Sequence, residues 1–259
     1  MIHQDRVRIL RPGTPSRGAF VLYWMQASQR ARCNHALEYA VEQANGLGLP
    51  VGVLFCLTDD YPEANLRHYA FMLEGLKETA AELRDRRIPM LVVKGPSSIH
   101  VPRLAQRAAM VVTDRGYLRH QRQWRTQVAD RLSCPFVQVE TDAVVPVEAV
   151  SPKAEYAAAT LRPKLGRVLP GYLTPLQQRE PAAPPLQFDE EGVLLDDVAA
   201  VLADLDVDVT VGRAPDIRGG AAEAVRRLQV FLDTKLDDYA RLRSDPAVDC
   251  ASGLSPYLH

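Results

Sequence analysis

Ala19-Phe-Val-Leu-Tyr-Trp24 is an unbroken run of apolar, β-branched and aromatic residues. A strand with one wet face alternates apolar and polar side chains. A run that is apolar at every position belongs to a strand covered on both faces, as in a parallel sheet. Val51 to Leu57 repeats the pattern, and Met90-Leu-Val-Val93, Met110-Val-Val-Thr113 and Phe136-Val-Gln-Val139 give three shorter versions. Between the strands, apolar residues recur at helical spacing. Leu37, Ala40, Val41 and Ala44 are closed by Gly46 and Gly48; Leu66, Tyr69, Leu73, Leu76, Ala80 and Leu83 follow a cap at Asn65. Val101 to Ala108, with Pro102 near its start, and Leu118 to Leu132 complete the set.

Five strands alternating with four helices predict an α/β fold over residues 19–148, a five-stranded parallel doubly wound (Rossmann-like) sheet with right-handed crossovers. Residues 1–18, basic and bearing Pro and Gly, read as a loosely held N-terminal arm. Met25-Gln-Ala-Ser28 stands where a Gly-x-Gly-x-x-Gly loop would, which disfavours an NAD site, and the absence of Gly-Lys-[Ser/Thr] argues against an NTPase.

Composition excludes several classes. A formal net charge of −1 over 259 residues argues against a nucleic-acid surface spread along the chain and leaves room for a local basic patch. Cys33, Cys56, Cys134 and Cys250 show no metal-ligand spacing and read as reduced thiols of a cytoplasmic protein. The six histidines form no zinc motif, so no metal site is expected, and no apolar run reaches the ~20 residues of a membrane span.

Three inner segments carry information. Met25 to Arg30 reads either as a sheet edge leading to a cap at Asn34 or as part of a ligand crevice at the carboxyl ends of the strands. Arg115, Arg119, Arg122 and Trp124 could be mistaken for a DNA stripe, but such spacing usually marks a solvated helix face whose arginine stems cover apolar surface. Thr141 to Glu148 reads as a strand exit, and Ser151 to Lys164 contains an Ala-rich helix that could dock two domains. Gln177 to Phe188, with Pro181, Pro184 and Pro185, is a linker of extended character. Residues 189–208 read as an acidic amphipathic helix with a connector, and Gly219-Gly220 precedes a helix carrying Val225, Leu228, Phe231, Leu232, Leu236 and Tyr239.

After Tyr239 the chain turns through Ser244-Asp245-Pro246 to Ser252-Gly253-Leu254-Ser255, where Ser255 and Pro256 are placed to open a new helix. A glycine loop, two hydroxyls and a helix start can hold an anion, most often phosphate; the same residues also serve as ordinary caps.

This last stretch resembles the flavin-phosphate clamp of the photolyase/cryptochrome superfamily. Tyr23 to Leu37, Thr141 to Glu148 and, most specifically, Ser151 to Lys164 resemble class II cyclobutane pyrimidine dimer photolyases, in matching order from Ala19 to His259. The resemblance implies a deoxyribodipyrimidine photo-lyase, a carbon–carbon lyase that uses FAD and light-driven electron transfer to split dimers flipped out of UV-damaged DNA. It places Tyr239, Ser252, Gly253, Leu254 and Ser255 on the FAD phosphates and ribitol. Ala251 stands where the family often has threonine.

The same resemblance divides the chain into an arm (1–18), the α/β domain (19–148), an interdomain helix with a Pro-rich and acidic linker (149–216), and the first helices of an all-α FAD-binding domain (217–259). An antenna chromophore would belong to the sheet domain. The flavin-ring pocket and the DNA-binding face would lie beyond His259, so no catalytic residue is assigned and the chain alone is expected to be inactive. Two alternatives remain: a stand-alone antenna-type ligand-binding module, and a fragment of a cryptochrome-like photoreceptor.

Overall fold

A computed structural model describes residues 2–15 and 18–257. Six strands build one sheet: β1 (Val7–Arg11), β2 (Phe20–Met25), β3 (Val51–Leu57), β4 (Met90–Lys94), β5 (Ala108–Asp114) and β6 (Phe136–Val139), in the order β1-β6-β5-β2-β3-β4. Strands β2 to β6 pair in parallel, as the sequence predicts. The strand count needs correction. Residues 7–11, read as part of a loose arm, form a sixth strand antiparallel to β6, with Val7 opposite Val139. The Arg6 guanidinium ties this end down by donating to the carbonyls of Glu140 (3.1 Å) and Ala143 (2.9 Å). The exposed Arg8 on this edge strand also discourages a further chain from pairing there.

All six residues of β2 are buried, and they serve two cores. Phe20, Leu22 and Trp24 join Val101 and Leu104 of α3 (Ser97–Ala105), Val128 of α4 (Arg119–Ala129), and Leu132 and Phe136. The Trp24 ring lies 6.2 Å from that of Phe136. On the other face α1 (His35–Leu47) packs on β2, β5 and β6, burying Leu37, Ala40, Val41 and Ala44. Asn34 caps α1 by accepting from Leu37 N (2.9 Å). Helix α3 starts earlier than its sequence suggests, and Pro102 lies within it. A proline there supplies no N–H to the carbonyl four residues back. That carbonyl, Ser98 O, instead accepts from Arg131 Nη1 at 2.8 Å.

The chain divides into two compact units: Met1–Thr58 with Glu82–Val193, and Asp59–Ala81 with Leu194–His259. The first also holds the short α5 (Val147–Val150) and α6 (Ala158–Val168). Its last segment is extended, as its prolines require, but docked along its length. Ala182 N donates to Asn45 Oδ1 (2.8 Å) while Asn45 Nδ2 donates to Glu180 O (3.0 Å). Leu186 and Phe188 lie over Gly52, where a Cβ would fall 2.6 Å from each. Val193 N ends the segment on Val92 O at 2.7 Å.

The second unit holds the first turns of α2 (Leu66–Asp85), then α7 (Val198–Ala203), α8 (Ala221–Thr234) and α9 (Leu236–Leu242). Helix α7 is a much shorter piece of residues 189–208 than the sequence suggests. Glu74 pairs with Arg213 and accepts Gly219 N (2.8 Å), and Glu78 accepts Ala222 N (2.9 Å) at the start of α8. Gly219 has no room for a side chain, because a Cβ would fall 1.9 Å from Phe71 O.

A buried ion pair holds the extended segment to the first unit. Glu38 accepts Arg86 Nη2 and Arg179 N, both at 2.7 Å, and the two side chains are only 2% and 7% exposed. Removing one partner of such a pair leaves an uncompensated buried charge. Glu38→Ala should therefore lower stability by about 3–5 kcal/mol in urea titrations. A loss under about 1 kcal/mol would show that Arg86 finds another acceptor.

Candidate functional site

The sheet order reverses at β2, with β3 and β4 on one side and β5 and β6 on the other. Sheets of this kind hold ligands in the crevice at the carboxyl ends of the two strands flanking the reversal. Here the chain leaves β2 through Gln26-Ala27-Ser28 and β5 through Asp114. Asp114 is completely buried, and its carboxylate accepts the N–H groups of Gln26 (2.7 Å), Ala27 (2.6 Å) and Ser28 (2.5 Å). Burial raises the Asp114 pKa, and the three amides oppose the rise. Arg125 donates to Gln26 Oε1 (2.8 Å) and Gly116 O (2.6 Å), and burial lowers its pKa to about 10. Ser28 Oγ and Arg30 both donate to Asp142 Oδ1, at 2.7 and 2.9 Å. Of the two readings of Met25 to Arg30, the geometry favours the sheet edge, since the protein's own carboxylate takes the amides that could cradle a ligand.

Next to it, the buried Glu140 accepts Arg115 Nη1 (2.6 Å), Tyr117 OH (2.7 Å) and Val147 N (2.7 Å). Burial and this carboxylate push the Tyr117 pKa up. Arg115, Arg119, Arg122 and Trp124, read as a solvated helix face in preference to a DNA stripe, have separate roles. Arg115 is part of this network, Trp124 packs on the core, and Arg119 and Arg122 face outward.

The C-terminal residues singled out in the sequence lie in the second unit. Tyr239 stands on α9, with its ring 5.4 Å from Phe231 and the Arg243 guanidinium 5.8 Å above it. Lys235 holds the following loop by donating to Asp249 (2.9 Å) and Ala251 O (3.3 Å). Gly253 takes φ +64°, a left-handed conformation that favours glycine, and a Cβ there would lie 3.3 Å from Arg227 Nη1. Ser252 Oγ accepts Leu254 N at 3.4 Å, and a 3-10 turn runs over Ser255–Tyr257. The continuation of the helix expected from Ser255 falls on Leu258 and His259, outside the described residues.

The structure thus joins Ser252, Gly253, Leu254 and Ser255 in one loop against Arg227, while Tyr239 belongs to a separate helix. Sequence reasoning missed the guanidinium. Arg227 is fixed by Glu223 Oε1 and Asp216 O, both at 2.7 Å, and stacks over Tyr257 at 5.6 Å. Its only signal in the sequence is the Glu223 spacing that makes an i,i+4 pair. A left-handed glycine, two hydroxyls and an arginine form an arrangement suited to a phosphate.

His35 opens α1, and its Nδ1 is buried without a hydrogen-bond partner among the described residues. Burial, then the charges of Arg6 and Arg30, lower its pKa to about 4. Between about pH 6.5, the ordinary histidine value, and about pH 4, the unfolded chain binds a proton that the folded chain does not. This contribution to stability is lost as pH falls through that window. His35→Gln should therefore lose less stability than wild type when urea midpoints are compared from pH 7 to pH 4. Parallel pH profiles would overturn the assignment.

The family model described as DNA photolyase matches residues 21–184. A deoxyribodipyrimidine photo-lyase of Methanothermobacter thermautotrophicus is 42% identical over 260 residues, covering 100% of this chain and 57% of that protein. Proteins of the same name from Potorous tridactylus and Arabidopsis thaliana are 36% and 33% identical, covering 93% and 100% of this chain but 45% and 55% of their own lengths. The chain spans about half the length of these relatives. Among solved structures, an archaeal photolyase from Sulfolobus tokodaii with two FAD molecules superimposes with a TM-score of 0.67 at 18% identity, covering 92% of this chain and 51% of that one. A cryptochrome of Synechocystis sp. PCC6803 gives 0.69 at 14% identity, covering 92% and 52%. At such identities the structures speak for the fold alone. The sequence match over most of the sheet unit, together with this doubly wound topology, shows that the chain belongs to the DNA photolyase family, within the photolyase/cryptochrome superfamily.

Proposed function

We propose that the chain supplies the α/β domain and the opening of the flavin domain of a class II photolyase, a lyase that repairs cyclobutane pyrimidine dimers in UV-damaged DNA with FAD and light. In this reading residues 19–148 are the α/β domain, 149–216 the connection and 217–259 the first part of the flavin domain. One observation carries it: 42% identity along the whole chain to a protein named deoxyribodipyrimidine photo-lyase. Class II rests on the resemblance of Tyr23 to Leu37, Thr141 to Glu148 and Ser151 to Lys164. A cytoplasmic setting is part of the proposal and is supported by the four free cysteines. No helix among the described residues is long and apolar enough to cross a membrane.

Ser252, Gly253, Leu254 and Ser255, with Tyr239 nearby in sequence, would contact the FAD phosphates and ribitol. The left-handed Gly253 and the adjacent Arg227 support an anionic group at this loop. When bound, the flavin supplies light absorption and the electron that splits the dimer; the residues of this loop bind and orient its phosphate end. An antenna chromophore in the sheet domain would have to use groups other than the amides of Gln26, Ala27 and Ser28, which Asp114 occupies.

Hydrogen bonds to a charged group contribute about 1.5–3 kcal/mol each, against an association cost of about 4–15 kcal/mol. The phosphate end alone therefore holds FAD weakly. A polypeptide of residues 1–259 should elute without flavin and repair no dimers under light. Joined to the C-terminal half of the Methanothermobacter relative, it should bind FAD, and Ser252→Ala with Ser255→Ala should weaken that binding by about tenfold or more. A yellow 1–259 chain whose flavin spectrum survives desalting would refute the weak-binding argument. A chimera that never takes up FAD would refute the proposed function.

A further inference from the structure

The chain's net charge of −1 conceals a strong local imbalance. Residues 97–133, which contain α3 and α4, carry seven arginines against two aspartates, with no lysine or glutamate. The inward-facing members are neutralised or enclosed: Asp114 and Arg125 at the carboxyl edge, Arg115 on Glu140 and Glu148. Arg107 pairs with Asp189. Arg103, Arg119, Arg122 and Arg131 remain exposed, and among the described residues none of them makes an ion pair. Asp130, at the end of α4, is the one carboxylate on this outer layer of the segment.

The arrangement is directional. Helices α3 and α4 pack together, and a groove of about 370 Å³ at one end of the pair has Arg103, Gln106 and Arg131 in its lining beside the apolar Ile99, Pro102 and Ala105. Arg119 and Arg122 lie on the outward face of α4 toward its other end. Arg119 to Arg131 spans at most about 18 Å at 1.5 Å per helical residue. A DNA duplex presents about one phosphate charge per 1.7 Å over the same distance. All the cations are arginine, whose planar guanidinium binds phosphate oxygens in pairs. Ser98, Gln106 and Ser133 offer further hydrogen bonds beside them. Ile99 and Leu118 are exposed apolar side chains of the same segment, so a lipid surface is the alternative that the experiment must exclude.

We propose that the outer face of α3 and α4 contacts the phosphate backbone of double-stranded nucleic acid, independently of any lesion and of flavin. Such a surface would hold the protein on undamaged duplex through counterion release. It requires neither the phosphate loop at Ser252–Ser255 nor photochemistry, so its test is separate from that of the function proposed above.

The test uses the 1–259 polypeptide and an undamaged, fluorescein-labelled 25-base-pair duplex, with anisotropy read from 50 to 200 mM NaCl. Arg131 is left intact because it serves Ser98 O. Arg103→Gln, Arg119→Gln and Arg122→Gln together should reduce the slope of log K against log salt by up to about 2.7, or about 0.9 per lost phosphate contact. The ratio of wild-type to variant affinity then shrinks about 40-fold between the two salt concentrations. The same three positions changed to Lys should keep the wild-type slope, as should Arg84→Gln, Arg162→Gln and Arg167→Gln, which remove equal charge elsewhere. The proposal is overturned if wild type does not bind at 50 mM salt or if both glutamine triples behave alike. Binding to vesicles of phosphatidylserine and phosphatidylcholine in place of the duplex would also overturn it. Should the first triple fail to fold, by near-UV circular dichroism, the lysine triple and the distant triple are decisive. Loss of the salt slope in either would refute the assignment.

Discussion

One carboxylate fixes the carboxyl edge of the sheet. Asp114, at the end of β5, accepts three consecutive amides at the exit of β2. Each of those N–H groups, if buried without an acceptor, would cost about 1–3 kcal/mol. The contact therefore sets how the chain leaves β2, and the elements on both faces follow from it. On one face, Asn34 reaches Ser28 O and Arg30 O with its Nδ2 while its Oδ1 caps α1. On the other, Arg125 of α4 donates to Gln26, the first residue of the same turn. The turn that could have cradled a ligand instead sets the positions of two helices.

The parts of this fold that were legible in the sequence are those that side chains specify locally. β2 is buried at all six positions, and its sequence is apolar at all six. β1 was not legible because an edge strand is selected by the open backbone of its partner, and Val7-Arg-Ile-Leu-Arg11 shows no two-sided apolar pattern. Pro102 misled for a related reason. Proline is easiest to place near a helix start, and its tolerance within α3 depends on Arg131, distant in sequence. The loop at Ser252–Ser255 was visible as glycine and hydroxyl chemistry. Arg227 was not, because it is brought there by the path of α8. Nothing in Asp114-Arg115-Gly116-Tyr117 signals that the aspartate will hold residues 26–28, since that contact exists only once β2 and β5 lie side by side.

Charge shows the same division between average and arrangement. Several carboxylates act as internal acceptors: Glu38 and Glu140 receive backbone N–H groups as well as guanidinium groups, and Glu74 and Glu78 receive the N–H groups of Gly219 and Ala222. An overall charge near zero is compatible with a local surface of one sign, because residues 97–133 carry seven arginines and only two of the chain's 32 acids.

Gly52 has a consequence in time as well as in space. Its Cβ position on β3 is covered by Leu186 and Phe188, residues made long after it. At synthesis rates of about 5–20 residues per second, Phe188 is added roughly 7–27 s after Gly52. During that interval β3 and its neighbours can pair, yet this patch of the nascent sheet, including the Phe20 ring that later meets Phe188 at 6.3 Å, stays uncovered. The first unit thus cannot complete its own surface until the ribosome has also built residues 59–81, which belong to the other unit. The two units of this chain are therefore interleaved in their order of synthesis.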